Sequence, residues 1–479
     1  MRFRVITALA FLALLGPFCG PRAEAQFETR ASLPTGGISY SLALGDFNRD
    51  GVLDLAVGDD SGSGSVKIFL GNGDGTFRLG PTYAVNVLFS AATASLRGNR
   101  ILDLVFGGEN DEIYVMFGNG DGTFQSAVAY PTSAFAYMIG IGDFTGRGKL
   151  DIVAVEGTNI QGANCSCIEI LPGNGDGTFG PGIAAPLPYG LTAYALATGD
   201  FNNDGNLDVA VEGEAFPNYE IAILLGNGDG TFTAGGSYTI GGTGASIATG
   251  SFTGNKKKID LAVTGGGSLA VLLGNGDGTF QQATYYKVGI ANAVTALDLN
   301  GDGRVDLAAT GAGPAPRYQP GVNALNGNGD GTFQSAVFYP AGLQPEYIAA
   351  GDLNGDHEPD LVLLDIGADD VITLLNTGVV SFSPTTPLNF KNQPVGTTSP
   401  PQTVKLTNTG TTELKIQSMK ASSEFGMSST CGKAVTAGGT CTVSATFSPT
   451  KQGSAQGTIT IIDSASTKPQ VIELLGTGT

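Results

Sequence analysis

The heptapeptide GNGDGTF at residues 71–77 recurs unchanged along the chain, and this repetition decides the fold. The copies lie about fifty residues apart, a period typical of repeat architectures in which each unit is one supersecondary element. Its Asn-Gly and Asp-Gly pairs supply the positive φ angles of tight hairpin turns, and its Phe is expected to plug the core between units. The six copies begin at Gly71, Gly118, Gly173, Gly226, Gly274 and Gly327.

Each repeat has the pattern of four β-strands. Apolar runs such as LDLAV at 53–57 and VKIFL at 66–70 precede the heptapeptide, and QSAVAYP at 125–131 follows one copy of it. Continuous apolar runs bounded by Gly and Asn are typical of strands buried on both faces. Four strands per unit, repeated radially, predict an all-β fold, a β-propeller. The seventh repeat lacks the heptapeptide, and QFETRASLPTG at 26–36 aligns with TFQSAVAYPTS at 123–133, so we expect the N-terminal strand to complete the last blade.

A second repeated element, an acidic loop of the form D-x-N-x-D-G-x-x-D, lies ahead of the heptapeptide. Loops of this kind begin at seven places, which predicts seven blades. Positions 1, 3, 5 and 9 offer side-chain oxygens and position 7 a backbone carbonyl, all hard ligands that suit Ca²⁺. Four loops are complete, so we expect about four Ca²⁺ ions per chain, although His357 replaces the usual Gly in the last. Their proposed ligands are Asp46, Asn48, Asp50, Val52 and Asp54; Asp200, Asn202, Asp204, Asn206 and Asp208; Asp298, Asn300, Asp302, Arg304 and Asp306; Asp352, Asn354, Asp356, Glu358 and Asp360.

The other three loops lack part of the ligand set, and we expect no calcium there. The second begins at Ser95 and carries Arg97, the third carries Arg147, and the fifth, from Ser251, carries three consecutive lysines at 256–258. Either a built-in cation replaces the metal in these loops or the site has simply been lost.

The N-terminus has the pattern of a secretory signal peptide, covering residues 1–25. Arg2 and Arg4 precede a short apolar run, and Ala23-Glu24-Ala25 predicts cleavage after Ala25. The apolar run is too short for a membrane span. We therefore expect a secreted or cell-surface protein. The acidic net charge of −19 argues against nucleic-acid partners.

Four cysteines remain after cleavage, an even number that favours disulfides in an exported protein. Cys431 and Cys441 are expected to pair. For the C-x-C pair of Cys165 and Cys167, a disulfide ranks ahead of free thiols and of metal binding.

The repeats resemble the FG-GAP or VCBS family, whose members include the propellers of integrin α subunits. The resemblance covers 26–378 and implies a seven-bladed, calcium-binding propeller. Residues 379–479 resemble hydin-like immunoglobulin-like domains through LNFKNQPVG at 388–396, VKLTNTG at 404–410 and LLGTGT at 474–479. Seven or eight short strands are expected in this β-sandwich.

Three classes of function fit this organisation. The first is a non-enzymatic adhesion or ligand-binding protein, a monomer with an extracellular protein or glycan partner and calcium in a structural role. The second is a calcium-dependent lectin, although the chain has no Trp for an aromatic platform. The third is a polysaccharide lyase or hydrolase, which the single His, placed in an ion loop, disfavours. We expect no enzymatic activity, and recognition by the loops at 157–168, 213–219 and 311–321.

Overall fold

The computed structural model describes residues 27–59, 64–85, 88–108, 111–156, 167–188, 191–215, 217–242, 244, 246–300, 303–313, 318–355, 358–376, 380–383, 387–408, 413–463 and 469–479. The signal-peptide residues 1–25, Cys165 and most of the 157–168 loop lie outside these ranges. The chain divides into two compact units, one holding the repeats and the other made of Val380–Ile461 and Val471–Thr479. No helix among the described residues is long and apolar enough to cross a membrane.

The repeats form seven antiparallel four-stranded sheets, the blades. Blade 1 contains β2 (Ser39–Gly45), β3 (Asp54–Asp59), β4 (Ser65–Gly71) and β5 (Phe77–Ala84). Blade 2 contains β6 (Leu88–Ala94), β7 (Asp103–Gly108), β8 (Glu112–Met116) and β9 (Val128–Pro131). Blade 3 contains β10 (Ala136–Gly142), β11 (Asp151–Glu156), β12 (Cys167–Leu171) and β13 (Ile183–Pro186). Blade 4 contains β14 (Thr192–Gly199), β15 (Asp208–Ala215), β16 (Asn218–Gly226) and β17 (Phe232–Ile240).

The remaining blades follow the same order. Blade 5 contains β18 (Ile247–Gly250), β19 (Asp260–Gly265), β20 (Ser268–Leu272) and β21 (Thr284–Lys287). Blade 6 contains β22 (Ala291–Leu297), β23 (Asp306–Ala312), β24 (Pro320–Leu325) and β25 (Val337–Pro340). Blade 7 contains β26 (Pro345–Gly351), β27 (Asp360–Asp365), β28 (Asp370–Asn376) and, as its outermost strand, β1 (Phe27–Pro34).

The ring closes through the N-terminal strand, as the alignment predicted. Strand β1 pairs antiparallel with β28, with Phe27 opposite Asn376 and Pro34 opposite Asp370. The first strands of successive blades contact one another around the ring, and β26 returns to β2. An apolar cluster that includes Leu55 and Val362 joins blades 1 and 7. The ends of the repeat region are thus held together by both hydrogen bonds and packing.

Burial explains why the middle strands are continuously apolar. Every residue of β3 and of β27 is buried, because neighbouring blades cover both faces of the sheet. The outer strands differ: in β5, residues that are buried, half-buried and exposed succeed one another. The apolar runs of the sequence therefore mark the second and third strands of each blade.

The second unit consists of two facing sheets. Its described residues contain nine strands, whereas seven or eight were expected, because two short segments also pair. One sheet has the order β29-β31-β35-β33 and the other β30-β37-β36-β32-β34. The strands are β29 (Val380–Ser383), β30 (Leu388–Gln393), β31 (Gln402–Asn408), β32 (Leu414–Ala421), β33 (Phe425–Ser429), β34 (Ala434–Val435), β35 (Thr440–Phe447), β36 (Gly453–Asp463) and β37 (Gln470–Gly478).

The expected disulfide of this unit is present. Cys431 and Cys441 are bonded, with their Cα atoms 4.8 Å apart. In the propeller, Cys167 is disulfide-bonded. The other half of its C-x-C pair, Cys165, lies outside the described residues.

Candidate functional site

The acidic loop of blade 1 wraps its first and fifth side chains around the backbone. Asp46 accepts hydrogen bonds from the amides of Asp50 (3.1 Å) and Gly51 (3.0 Å). Asp50 in turn accepts one from the amide of Val52 (2.9 Å) and one from the Asn48 side chain (2.8 Å). These oxygens lie along one turn of chain, and each carboxylate retains lone pairs for a further ligand.

The loop of blade 4 repeats this arrangement. Asp200 accepts from the amides of Asp204 (3.1 Å) and Gly205 (3.0 Å), and Asp204 accepts from the amide of Asn206 (2.8 Å) and from Asn202 (3.0 Å). Two distant stretches with the same ligand pattern therefore adopt the same conformation.

The turn needs positive φ at positions 4 and 6 of the loop, and the sequence pattern predicted this only for position 6. Gly51 at position 6 has a φ of 88°, but Arg49 and Asn203 at position 4 also adopt 62° and 60°. A non-glycine residue rarely takes this conformation. The signal in the sequence was the Gly at position 4 of several other loops, including Gly98, Gly146 and Gly254.

The aspartate at position 9 has a structural role that the sequence pattern did not separate from metal binding. It is fully buried in all seven blades, whether or not the loop is complete, and in blade 5 one extra residue places it at position 10. In blade 1, Asp54 accepts one hydrogen bond from the amide of Phe47 (2.9 Å) and another from Gly71 (2.8 Å), the first residue of the heptapeptide. Equivalent pairs of bonds are made by Asp103, Asp151, Asp208, Asp260, Asp306 and Asp360.

In blades 2 and 3 an arginine supplies a positive charge at this buried carboxylate. The Arg97 guanidinium lies 2.5 Å from Asp103 and donates to the carbonyl of Gly118 at 2.7 Å. Arg147 does the same from a different loop position, 3.3 Å from Asp151 and 3.2 Å from the carbonyl of Gly173. The two arginines start at positions 3 and 5 and reach the same pair of oxygens. A built-in cation, one of the two alternatives for the incomplete loops, is thus present in blades 2 and 3.

In blades 1 and 4 the buried aspartate at position 9 lies near further acidic side chains instead of an arginine. Burial raises the pKa of Asp54, and the charge of Asp50 raises it further. Burial, with the charges of Asp204 and Asp200, raises the pKa of Asp208 to about 6. In blade 5, burial raises the pKa of Asp260 and the charge of Lys258 lowers it.

The remaining two complete loops are described only in part. Asp298 accepts from the amide of Gly303 (2.8 Å), and Asp352 accepts from the amide of Gly355 (2.7 Å). The proposed ligands Asp302 and Asp356, with His357, lie outside the described residues. Asn300, Arg304, Asn354 and Glu358 lie within them.

The donor set of the complete loops fits a hard divalent cation. Carboxylate and amide oxygens are the groups that Ca²⁺ prefers, and the position occupied by an arginine in blades 2 and 3 is one where positive charge stabilises the buried aspartate. Among the described residues, no three acidic, His or Cys side chains already stand close enough to ligate one ion. The carboxylates of Asp46, Asp50 and Asp54 accept hydrogen bonds from backbone amides. The side-chain oxygen of Asn48, the remaining side-chain ligand proposed for this loop, also accepts one.

The heptapeptide of one blade contacts the acidic loop of the preceding blade in several blade pairs around the ring. The amide of Gly122 donates to the carbonyl of Phe47 at 3.1 Å, and the ring of Phe124 packs edge-on against Phe47 with centroids 5.3 Å apart. Phe201 with Phe280 and Phe252 with Phe333 repeat the contact at 5.5 and 5.3 Å. The Phe of these heptapeptides therefore plugs the core between blades, as predicted, and burying such a side chain contributes about 1.5–3 kcal/mol.

The comparisons with known proteins agree with this architecture. A solved structure described as BBS1N in complex with ARL6DN, soaked with lead, shares the fold with a TM-score of 0.51 and 12% identity. The likeness covers 74% of this chain and 97% of that one. No curated protein matches the chain.

Two sequence families match directly. Residues 377–471 match the ASH domain (Abnormal spindle-like microcephaly-associated, ASPM-SPD-2-Hydin), an immunoglobulin-like fold. The FG-GAP-like repeat matches 46–98, 96–154, 143–211, 255–309 and 298–363, more than half of the chain. The chain therefore belongs to the FG-GAP-like repeat family and forms a seven-bladed β-propeller followed by an ASH domain.

Proposed function

We propose that this protein is an exported, non-enzymatic ligand-binding or adhesion module whose propeller is stabilised by calcium in the acidic loops. The observation that carries the calcium assignment is the arginine found at the buried aspartate of blades 2 and 3. In loops whose ligand set is incomplete, a fixed guanidinium takes the place of the cation for which the complete loops provide oxygens.

The non-enzymatic role is supported by how the acidic groups are used. In blades 1 and 4, the acids at positions 1, 5 and 9 accept hydrogen bonds from backbone amides, so their geometry serves the turn and the adjoining blade. A catalytic site would need a group placed to exchange a proton with a substrate. The chain has a single His, His357, and it belongs to a loop assigned to calcium.

The calcium assignment is tested by titration of the chelator-treated mature protein. We expect about four ions to bind, with Kd values near 10⁻⁴–10⁻³ M if the loops behave as extracellular modules. Calcium should also raise the melting temperature of the propeller, since it binds the folded state. Absence of bound calcium, together with no thermal shift after chelation, contradicts the assignment.

The binding role is tested separately by incubating the protein with polysaccharides, glycans and phosphoesters. We expect no turnover of these compounds. Turnover that is lost on substitution of a single side chain would make the protein an enzyme. Binding of a glycan without turnover would instead favour a lectin.

A further inference from the structure

The immunoglobulin-like unit has one sheet edge that lacks the usual protection against further pairing. A strand at the edge of a sheet presents unpaired N–H and C=O groups, and proteins protect such edges with very short strands, bulges, lysines or prolines. The two sheets have four edges among the described strands, formed by β29, β30, β33 and β34. Three of these edges are protected, whereas the edge formed by β33 is not.

The three protected edges are either short or irregular. β34 (Ala434–Val435) is only two residues long, and β29 (Val380–Ser383) only four. β30 carries Lys391, whose φ of 52° interrupts the strand, and its pairing with β37 shifts register between Asn389 and Asn392. A bulged strand does not offer a regular row of hydrogen-bonding groups to another strand. These three edges are therefore poor templates for pairing.

Strand β33 (Phe425–Ser429) has none of these protections. Its sequence, FGMSS, contains no charged residue and no proline, and Gly426, Ser428 and Ser429 are exposed. It pairs with β35 in an unbroken antiparallel register. β33 is the last strand of its sheet, and β35 is the only described strand that pairs with it. Its outer edge is therefore regular and uncharged.

The hydrogen bonds at the two ends of β33 show which backbone groups point to this outer edge. The carbonyl of Glu424 accepts a hydrogen bond from the amide of Ser448 (2.8 Å), and the amide of Thr430 donates to the carbonyl of Thr442 (2.9 Å). In an antiparallel pair, residues that bond across the ladder alternate with residues that do not. Because residues 424 and 430 bond to β35, the even-numbered residues between them do so too, and the amides and carbonyls of residues 425, 427 and 429 face away from β35.

The outward-facing groups of β33 are complementary to those of an identical strand. The amide of Phe425 donates to the carbonyl of Ser422 (3.2 Å), so the outward donors are the amides of Met427 and Ser429. When two copies of the strand run antiparallel with their Met427 residues opposite each other, each Met427 amide meets the other Met427 carbonyl, and each Ser429 amide meets a Phe425 carbonyl. The two edges thus form four hydrogen bonds about a two-fold axis, as in an isologous dimer.

The distribution of charge also favours contact between copies through this unit. Residues 379–479 contain seven Lys and four Asp or Glu, although the whole chain has a net charge of −19. Two copies therefore repel each other less through their immunoglobulin-like units than through their acidic propellers.

We propose that β33 pairs with β33 of a second copy and joins the two four-stranded sheets into one continuous eight-stranded sheet. The contact is small, so the dimer is weak, and the monomer expected from the sequence persists at low concentration. This contact goes beyond the proposed ligand-binding function. It uses no residue of the acidic loops, so either proposal can fail without the other.

The proposal is tested by sedimentation velocity of the mature chain over a hundredfold range of concentration. We expect a reversible monomer–dimer equilibrium with a Kd of roughly 10⁻⁵–10⁻³ M, typical of a small, transient contact, and no change on chelation of calcium. Met427→Pro should weaken dimerisation at least about tenfold, because each dimer loses two of its four hydrogen bonds. The matched control is Met427→Ala, which removes the same side chain but keeps the amide and should dimerise like the unmodified protein.

Melting curves check the assigned direction of the backbone groups. Met427→Pro should unfold at nearly the same temperature as Met427→Ala, because the amide of Met427 faces away from β35. Ser428→Pro removes an amide that bonds to β35 and should lower the melting temperature of the immunoglobulin-like unit. Equal melting temperatures for the two proline variants would contradict the assignment and overturn the proposal.

Crosslinking gives a second measurement that does not depend on the folding of a proline variant. Ser428→Cys, treated with a short bismaleimide, should give covalent dimers, whereas Ser383→Cys on the opposite edge of the same sheet should not. Both serines are exposed. Equal crosslinking of the two variants, no association at the highest concentration, equal association of Met427→Pro and Met427→Ala, or growth into species larger than dimers would overturn the proposal. A monomeric protein that binds a different extended polypeptide along β33 would also overturn it, while leaving the ligand-binding function intact.

Discussion

The acidic loops of blades 1 and 4 differ from those of blades 2 and 3 in their ligands but not in their buried aspartate. All four place position 9 at full burial between the same two backbone amides. In blades 2 and 3 an arginine lies beside it, whereas in blades 1 and 4 further acids do. The comparison separates two roles within one motif: position 9 builds the blade in every loop, whereas positions 3 and 5 carry either an arginine or the oxygen groups that we propose bind calcium.

The largest expected effect comes from removing position 9 where no metal is proposed. Asp103→Ala should destabilise the propeller by about 3–5 kcal/mol, because it leaves Arg97 and two backbone amides without their buried partner. Denaturant unfolding in the presence of a chelator measures the change. Under the same conditions, Asp46→Ala at the half-buried position 1 should cost about 1 kcal/mol or less. Equal losses would mean that the two positions do not have separate roles.

A second buried acid in blade 4, Glu212, shows how the pKa of a buried carboxyl responds when it accepts fewer hydrogen bonds. It is fully buried, accepts one bond from the amide of Gly244 (3.1 Å), and its Oε2 atom has no described partner. Burial raises its pKa to about 8 from an ordinary value near 4.5. Because the folded state holds this proton more tightly than the unfolded state does, the stabilisation is complete below about pH 4.5 and is lost as the pH rises through 8.

Glu212→Gln should therefore reduce the loss of stability between pH 5 and pH 9, by about 2–4 kcal/mol relative to the unmodified protein. The measurement is denaturant unfolding of both proteins at the two pH values in a chelator, so that calcium does not contribute. Parallel pH profiles for the two proteins would show that Glu212 does not titrate in this range.

Arg97 and Arg147 should contribute different amounts to the free energy of unfolding. Arg97 lies closer to its aspartate than Arg147 does, and its side chain is 21% exposed, compared with 43% for Arg147. Arg97→Leu should cost about 1–3 kcal/mol, and Arg147→Leu less, because solvent screens the more exposed pair. Unfolding curves of the two variants in chelator give the ranking. A larger loss for Arg147→Leu would contradict the assigned environments.

Much of this architecture could be predicted from the sequence because the same strand and loop pattern occurs in several repeats. The strand pattern, the seven blades and the closure by residues 27–34 all followed from aligning the copies. The structural role of Asp54 could not be predicted. Its second hydrogen-bond partner, Gly71, is brought close to it by the pairing of β3 with β4. Nor could the aromatic side chains at the starts of the innermost strands be predicted: Tyr40, Phe89 and Tyr137 stand in unlike local sequences and share only a register shift between the first and second strands of their blades.

The most direct exchange between the two kinds of loop is a change in calcium stoichiometry. Thr145→Asn combined with Arg147→Asp gives the third loop the full ligand pattern, with Asp143 and Asp151 already in place. This variant should bind one more ion than the unmodified protein, and at about 10 mM calcium the new site should add roughly 1–3 kcal/mol of stability. The reciprocal change, Asp204→Arg in blade 4, copies the position of Arg147 and should remove one ion. Titration calorimetry with metal analysis counts the ions, and melting curves with and without calcium report the stability. Because a guanidinium and Ca²⁺ would neutralise the same buried carboxylate, each gain or loss of an arginine must be matched by the opposite change in bound calcium; unchanged stoichiometry in both variants would show that the loops do not share one cation position.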